Sequence, residues 1–140
     1  MKSVSGNINK HLILVVDDDP GISRLLRYNL EDQDTRVIAA ENGLEGIKLL
    51  TEEKIDLLIL DVKLPDFSGW GILSLLRISE IYHRLPVIMI SVEPFGTELV
   101  TTHRPDAYLQ KPFDVRQLLT IVENIVSVEK QRKNIVNNTV

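Results

Sequence analysis

Residues 11–20 read HLILVVDDDP, a mostly apolar run followed by three aspartates and a proline. Nearly continuous apolar runs of this length are typical of strands that are buried on both faces, as parallel strands covered by helices are. An acid at the N-cap followed by proline at the first helical position, here Asp19 and Pro20, is typical of a helix N-terminus. The stretch therefore predicts a buried strand, a short acidic turn and a helix.

The same pattern returns four more times along the chain. The further candidate strands are Thr35–Ala40, Asp56–Leu60, Pro86–Ile90 and Asp106–Leu109. Helical patterns separate them, and strict alternation of strands and helices predicts a parallel sheet covered on both faces. We expect an α/β protein of five βα units: a five-stranded, doubly wound parallel sheet in three α/β/α layers.

The helical segments differ in regularity. Asn42 and Glu45 resemble a capping box that opens the second helix, and we expect Leu44 to face the core. The third helix is expected to begin near Ser68 or Gly69 and to bury Leu75 together with its neighbours. Residues 93–104 contain Pro94 and Gly96 and have a weak apolar period, so that segment is predicted to be a short or irregular helix.

Composition bounds the possible functions. The 140 residues fit one domain, with residues 1–10 as a flexible tail, 11–128 as the domain and 129–140 as a polar tail. Lys and Arg number 16 against 20 Asp and Glu, which argues against binding nucleic acid or an anionic membrane. Cysteine is absent and the first ten residues lack the apolar core of a secretory signal. We therefore expect a cytoplasmic protein.

Polar residues with chemical potential follow the predicted strands. Asp17 and Asp18 follow the first strand, Asp61 the third, Ser91 the fourth and Lys111 the fifth. Right-handed crossovers place the carboxyl ends of parallel strands at one edge of the sheet, where ligands bind. These five side chains are therefore expected to lie together.

A shared pocket for three carboxylates requires a cation. At ~5 Å and an effective dielectric constant of ~20, each pair of carboxylates repels by about 3 kcal/mol. Mg²⁺ suits the site because it is a hard ion that takes carboxylate oxygens and shares its other positions with water and phosphate. An aspartate beside it can act as a nucleophile toward phosphorus, with Lys111 and Ser91 holding the transferred oxygens.

Four motifs, each at a strand end, carry a family resemblance. They are VVDDDP at 15–20, LDVKLP at 60–65, PVIMIS at 86–91 and YLQKPF at 108–113. Together they resemble the response-regulator receiver family of two-component signal transduction, over roughly residues 12–126. The resemblance implies a flavodoxin-like strand order of 2-1-3-4-5.

The resemblance also implies a role for each matching residue. Asp17, Asp18 and the backbone carbonyl of Lys63 would position Mg²⁺, with Mn²⁺ as the alternative ion. Asp61 would be a metal ligand and the phosphoacceptor. Ser91 and Lys111 would bind the phosphoryl group, and Tyr108 occupies the aromatic position that changes rotamer on activation.

The implied function is a switch rather than an enzyme that acts on a separate substrate. A histidine kinase or a phosphotransfer protein would phosphorylate Asp61 in the presence of Mg²⁺. A downstream protein would then bind the face made by the fourth helix, the fifth strand and the last helix, with no direct contact to nucleic acid or membrane.

Two alternatives remain open at this point. A receiver-like module could bind partners without phosphorylation. A phosphatase of the haloacid-dehalogenase type would use Asp17 as nucleophile and Asp19 as acid, but it leaves Asp61 unexplained, and an N-cap accounts for Asp19.

The chain also departs from the family pattern at several positions. Val92 is larger than the usual residue and is expected to narrow access to Asp61. Lys63 and Glu93 flank the mouth of the pocket, where Lys63 could reach a phosphoryl oxygen. The Arg104-Pro105 pair precedes the fifth strand, where the family tends to have Gly-Ala.

Overall fold

Five parallel strands form one sheet in the computed structural model, which describes residues 11–138 apart from the side chains at positions 130, 133, 134 and 136–138. The strands are β1 (His11–Val16), β2 (Thr35–Ala40), β3 (Leu57–Asp61), β4 (Val87–Ser91) and β5 (Ala107–Gln110). Their order is β2-β1-β3-β4-β5, which confirms the predicted architecture. The expected tail at residues 1–10 lies outside the described residues.

Helices connect the strands and follow the last one. They are α1 (Pro20–Leu30), α2 (Gly43–Glu52), α3 (Gly69–Ile78), α4 (Thr97–His103) and α5 (Val115–Asn138). Helix α4 has 7 residues and no buried residue, as its weak sequence pattern predicted. Its C-cap residue is Arg104, whose backbone adopts φ 52° and ψ 59°, the left-handed region that favours glycine.

The sheet separates two apolar layers. Alternate residues of the strands point to opposite faces, so Ile13 and Val15 pack on one side of β1 while Leu14 and Val16 pack on the other. Helices α1 and α5 cover the first face, through residues such as Leu26 and Leu118. Helices α2 and α3 cover the second face. This double coverage is the reason why the strands read as continuous apolar runs.

Two expectations about the helices were wrong. Leu44 and Leu75 were expected in the core, but they are 66% and 62% exposed. Helix α2 faces the sheet with Gly43, Gly46 and Leu50, and the buried residues of α3 are likewise other than Leu75. Helix α5 extends through residues 129–138, within the segment expected to be a polar tail. Glu, Lys, Gln and Arg are good helix formers, which accounts for the longer helix.

The loop between β3 and α3 is joined to helix α2 by Asp66. Its two carboxylate oxygens accept hydrogen bonds from the backbone N–H groups of Gly43 (2.7 Å) and Leu44 (3.0 Å). We call this interaction the Asp66 cap. Partial desolvation acts to raise the pKa of Asp66, but these backbone donors outweigh it, so the pKa lies below its ordinary value of 3.8.

Near the N-terminal ends of β4 and β5, the side chain of Arg77 from α3 connects the segments that precede these two strands. Its guanidinium donates to the carbonyl oxygens of Leu85 (2.8 Å) and Arg104 (3.2 Å) and to a carboxylate oxygen of Asp106 (2.9 Å). The same Asp106 oxygen accepts from the N–H of Val87 at 2.8 Å. The Arg77 side chain is 14% exposed and its hydrogen bond to Leu85 is partly buried, whereas the side chain of Asp106 is 43% exposed.

We predict that Arg77→Ala lowers the free energy of unfolding by about 2–3 kcal/mol, because it leaves the Asp106 carboxylate and the carbonyls of His83, Leu85 and Arg104 without their charged donor. Urea denaturation followed by circular dichroism measures this. The control is Arg116→Ala, which removes a pair with Asp114 whose side chains are 89% and 55% exposed. That variant is expected to change stability by less than about 0.5 kcal/mol. An equal loss of unfolding free energy in the two variants would contradict the stabilising role of Arg77.

We predict that the stabilisation from Asp66 depends on pH. A carboxylate whose pKa is lowered by folding stabilises the fold above its unfolded pKa, and loses that contribution as pH falls through the folded pKa. The stability difference between wild type and Asp66→Asn should therefore be full at neutral pH and shrink below about pH 4. Urea denaturation at several pH values measures it.

The control for this pH dependence is Asn42→Ala. Asn42 caps the same helix by accepting from the N–H of Glu45 at 2.8 Å, but its amide does not titrate. Its stability loss should stay constant over the same pH range. A difference for Asp66→Asn that persists unchanged at low pH would refute the prediction.

Candidate functional site

The carboxyl ends of β1, β3, β4 and β5 bring the predicted residues to one edge of the sheet. Val16 pairs with Leu60, so Asp17 and Asp61 follow on adjacent strands. Ser91 ends β4 and pairs with Gln110, and the N–H of the next residue, Lys111, donates to the Ser91 carbonyl at 2.7 Å. Register therefore places the residues that were expected to converge next to one another.

Lys111 joins the two aspartates. Its ammonium donates to a carboxylate oxygen of Asp17 at 2.7 Å and to one of Asp61 at 3.2 Å. The side chains are 15%, 0% and 7% exposed for Lys111, Asp17 and Asp61. Buried carboxylates need such partners, because desolvation of an unpaired charge costs several kcal/mol.

The electrostatics of this group follow from burial and charge. Burial raises the pKa of Asp17, and the nearby Asp61 carboxylate adds to the effect, although the hydrogen bond from Lys111 opposes it. Burial acts to lower the pKa of Lys111, but the hydrogen bond and charge of Asp17, together with Asp61, outweigh it and raise that pKa. The ammonium form of Lys111 is therefore favoured at neutral pH.

An acidic cluster lies beside the lysine. One carboxylate oxygen from each of Asp17, Asp18 and Asp61 lies within 4.8 Å of the others, with Asp18 exposed and the other two buried. These hard oxygen donors, whose charge exceeds what one lysine neutralises, fit a divalent cation such as Mg²⁺. Asp19 is not part of this cluster. Its carboxylate caps helix α1 by accepting a hydrogen bond from the N–H of Gly21 at 2.9 Å.

The mouth of the site is bordered by the turns that follow β3 and β4. The N–H of Lys63 donates to a carboxylate oxygen of Asp61 at 3.2 Å, and the N–H of Glu93 donates to the Ser91 hydroxyl at 3.1 Å. The Lys63 ammonium lies 3.6 Å from a carboxylate oxygen of Glu93, with both side chains largely exposed. Val92 is 59% exposed and lines a shallow apolar groove beside Lys111.

Tyr108 belongs to a group of aromatic rings next to the site. It is 48% exposed, and its ring centroid lies 4.9 Å from that of Phe95. The rings of Phe95 and Trp70 meet edge to face with their centroids 5.8 Å apart, and the centroids of the Trp70 and His103 rings are 4.9 Å apart. The rings therefore connect Tyr108 on β5 with the turn after β4, helix α3 and helix α4.

Some of these residues were not singled out from the sequence. Phe95 was passed over within a weak helical segment, although an aromatic just after Pro94 was a usable signal. Trp70, the second residue of α3, likewise received no role from the sequence. Asp66, between Pro65 and Phe67, has the composition of a turn, and nothing local points to a helix that begins 23 residues earlier.

Along residues 11–138, no helix combines the length and the apolar character needed to cross a membrane.

Comparison with known proteins agrees with this geometry. The chain matches the family described as the response regulator receiver domain over residues 13–123. The alkaline phosphatase synthesis transcriptional regulatory protein PhoP of Bacillus subtilis is 38% identical over 116 residues, which cover 81% of this chain and 48% of that protein. The DNA-binding dual master transcriptional regulator RpaA of Synechocystis is 34% identical over 116 residues, with the same coverage. The chain thus spans about half the length of these curated relatives.

Solved structures share the whole architecture. A CheY-like response regulator receiver domain protein from Methanospirillum hungatei has a TM-score of 0.75 and 29% identity, covering 87% of this chain and 98% of its own. The chemotaxis response regulator CheY4 of Vibrio cholerae, at 24% identity, supports the fold alone, with a TM-score of 0.75 and coverage of 83% and 98%. Because the family match extends over most of the chain, this protein belongs to the response-regulator receiver family.

Proposed function

We propose that this receiver domain accepts a phosphoryl group on Asp61 in a reaction that depends on Mg²⁺. The observation that carries the proposal is the placement of the Lys111 ammonium between Asp17 and Asp61, inside a cluster of three carboxylates. Phosphoryl transfer depends mainly on positioning and on neutralising charge, and this group of residues supplies both. Family membership gives no support to the haloacid-dehalogenase alternative.

Each residue of the site has a separate role in phosphoryl transfer. A carboxylate oxygen of Asp61 attacks the phosphorus atom of a phosphohistidine, the P–N bond breaks, and its electron pair stays with the imidazole nitrogen. Asp17, Asp18, Asp61 and the backbone carbonyl of Lys63 would hold the cation. When bound there, Mg²⁺ or Mn²⁺ would supply positive charge that offsets the charge of the phosphoryl oxygens. Lys111 turns from its carboxylate partners to a phosphoryl oxygen, and the Ser91 hydroxyl donates to another.

Rearrangement of Ser91 and Lys111 links the chemistry to the surface. The Ser91 hydroxyl now accepts from the N–H of Glu93, so a turn toward the phosphoryl group changes the segment that carries Phe95. Phe95 packs on Tyr108, and the effect reaches the face formed by α4, β5 and α5. Reversal of a 1:99 equilibrium requires a preference of about 5.5 kcal/mol for the active form.

The partners of the domain follow from this reaction. A histidine kinase or phosphotransfer protein supplies the phosphoryl group, and a downstream protein binds the α4–β5–α5 face. The curated relatives named above are transcriptional regulators of about twice this length, so an effector that binds DNA is a candidate for the output of a longer protein. The domain itself is a signalling domain in the cytoplasm whose reaction is its own phosphorylation and dephosphorylation.

We predict that the protein gains the mass of one phosphoryl group when it is incubated with acetyl phosphate and MgCl₂, as measured by intact-mass spectrometry. Asp61→Asn should abolish the gain, and a chelator should prevent it in wild type. Asp32→Asn, at an exposed acid outside the cluster, should leave the gain unchanged. Wild type that stays unmodified would contradict the proposal and favour the interaction module that works without phosphorylation.

We predict that Lys63→Ala shortens the lifetime of the phosphorylated protein by roughly 2- to 5-fold, a change below about 1 kcal/mol in activation free energy. The Lys63 ammonium lies at the mouth, where it can contact a phosphoryl oxygen and hinder an attacking water. Loss of the phosphoryl group over time, measured by mass, gives the lifetime. Glu93→Gln is the matched control, because it frees Lys63 from its ion pair and should not shorten the lifetime. An unchanged or longer lifetime in Lys63→Ala would refute the idea.

A further inference from the structure

The loop that connects β3 to α3 is closed at its base. Lys63 and Ser68 form an antiparallel bridge, and the N–H of Gly69 donates to the carbonyl of Val62 at 2.7 Å. A Cβ atom at Gly69 would overlap the carbonyl oxygen of Asp61 and lie 2.8 Å from Cα of Val62. Glycine is therefore required for this close approach, and the two ends of the loop are held together beside Asp61.

The far end of this loop is attached to helix α2 through the Asp66 cap. Gly43 and Leu44 are the first two residues of α2, and their N–H groups have no partner within the helix. The two oxygens of Asp66 accept from both, at 2.7 and 3.0 Å. A Cβ atom at Gly43 would lie 2.7 Å from the ring of Phe67, so glycine also permits this contact.

Helix α2 is in turn seated on the end of β1. A Cβ atom at Gly46 would lie 2.8 Å from a methyl carbon of Val16, which shows how closely the helix approaches that strand. Val16 directly precedes Asp17 and Asp18. A continuous series of contacts therefore runs from the end of β1 to helix α2, and the Asp66 cap connects α2 to the loop that carries Lys63.

We propose that Asp66 is a positioning residue for the divalent cation. The inference rests on the proposed function, in which Asp17 and Asp18 supply one half of the metal site and Asp61 with the Lys63 carbonyl supplies the other. The Asp66 cap holds these two halves in register before the cation binds. Without it, part of the binding free energy goes into ordering the loop, and affinity for the cation falls.

The test is a titration of the whole chain with MgCl₂, followed by ¹⁵N NMR shifts of the backbone amides of Lys63 and Gly69. Asp66→Ala is expected to raise the dissociation constant for Mg²⁺ by about 3- to 10-fold relative to wild type. Asp66→Asn, which keeps one accepting oxygen, should give a smaller increase, and it carries the test if the alanine variant does not fold.

Asn42→Ala is the matched control, because it removes a capping hydrogen bond from the same end of α2 without touching the loop. It should leave the dissociation constant for Mg²⁺ within about twofold of wild type, although it too lowers stability. In metal-free protein, hydrogen exchange at residues 62–68 should accelerate in Asp66→Ala and not in Asn42→Ala.

The outcomes separate the two proposals. Equal dissociation constants for wild type and the Asp66 variants would overturn the positioning role and leave the metal site in place. Equal weakening in Asp66→Ala and Asn42→Ala would also overturn it, since general destabilisation of α2 would then account for the effect. Failure of wild type to bind Mg²⁺ would overturn the proposed function itself.

Discussion

The arrangement of residues at the carboxyl ends of the strands depends on one interaction. The ammonium group of Lys111 is shared between the buried carboxylates of Asp17 and Asp61. Asp17 follows β1 and Asp61 ends the adjacent β3, so the sheet itself forces their like charges together. Burial raises the pKa of Asp17, and repulsion by the Asp61 carboxylate adds to that effect in the same direction. Lys111 offsets the repulsion without removing the negative charge of the cluster, so the fold tolerates an acidic edge that can still attract a cation.

The elements that the sequence predicted well are those whose burial has a simple period. The predicted bounds of all five strands lie within one residue of those observed. The clearest signal came from β3 and β4, which are fully buried and lie between two apolar layers. The convergence of Asp17, Asp61 and Lys111 could be predicted for a related reason: parallel topology sends every strand end to the same edge. No side-chain contact had to be known for that step, only the order of strands and the residues that follow them.

The features that escaped prediction depend on contacts between distant segments. Leu44 and Leu75 belong to plausible helical stripes, but the exact facing of a helix is set by neighbours such as Val16, which admits only Gly46. The Asp66 cap joins residues 22 and 23 positions apart through a turn whose composition is unremarkable. The rings around Phe95 likewise belong to three separate elements. Local propensity contains no information on such pairings.

Helix α4 is held unequally at its two ends. Its C-terminus is fastened to α3, because Arg77 donates to the Arg104 carbonyl and to Asp106. At the other end the N-cap is Gly96, which has no side chain to bond the first turn. Because only the C-terminal end of α4 has such side-chain bonds, we expect a displacement at Ser91 to move the N-terminal end of α4 more than its C-terminal end. An exposed helix held in this way would change its orientation rather than its position.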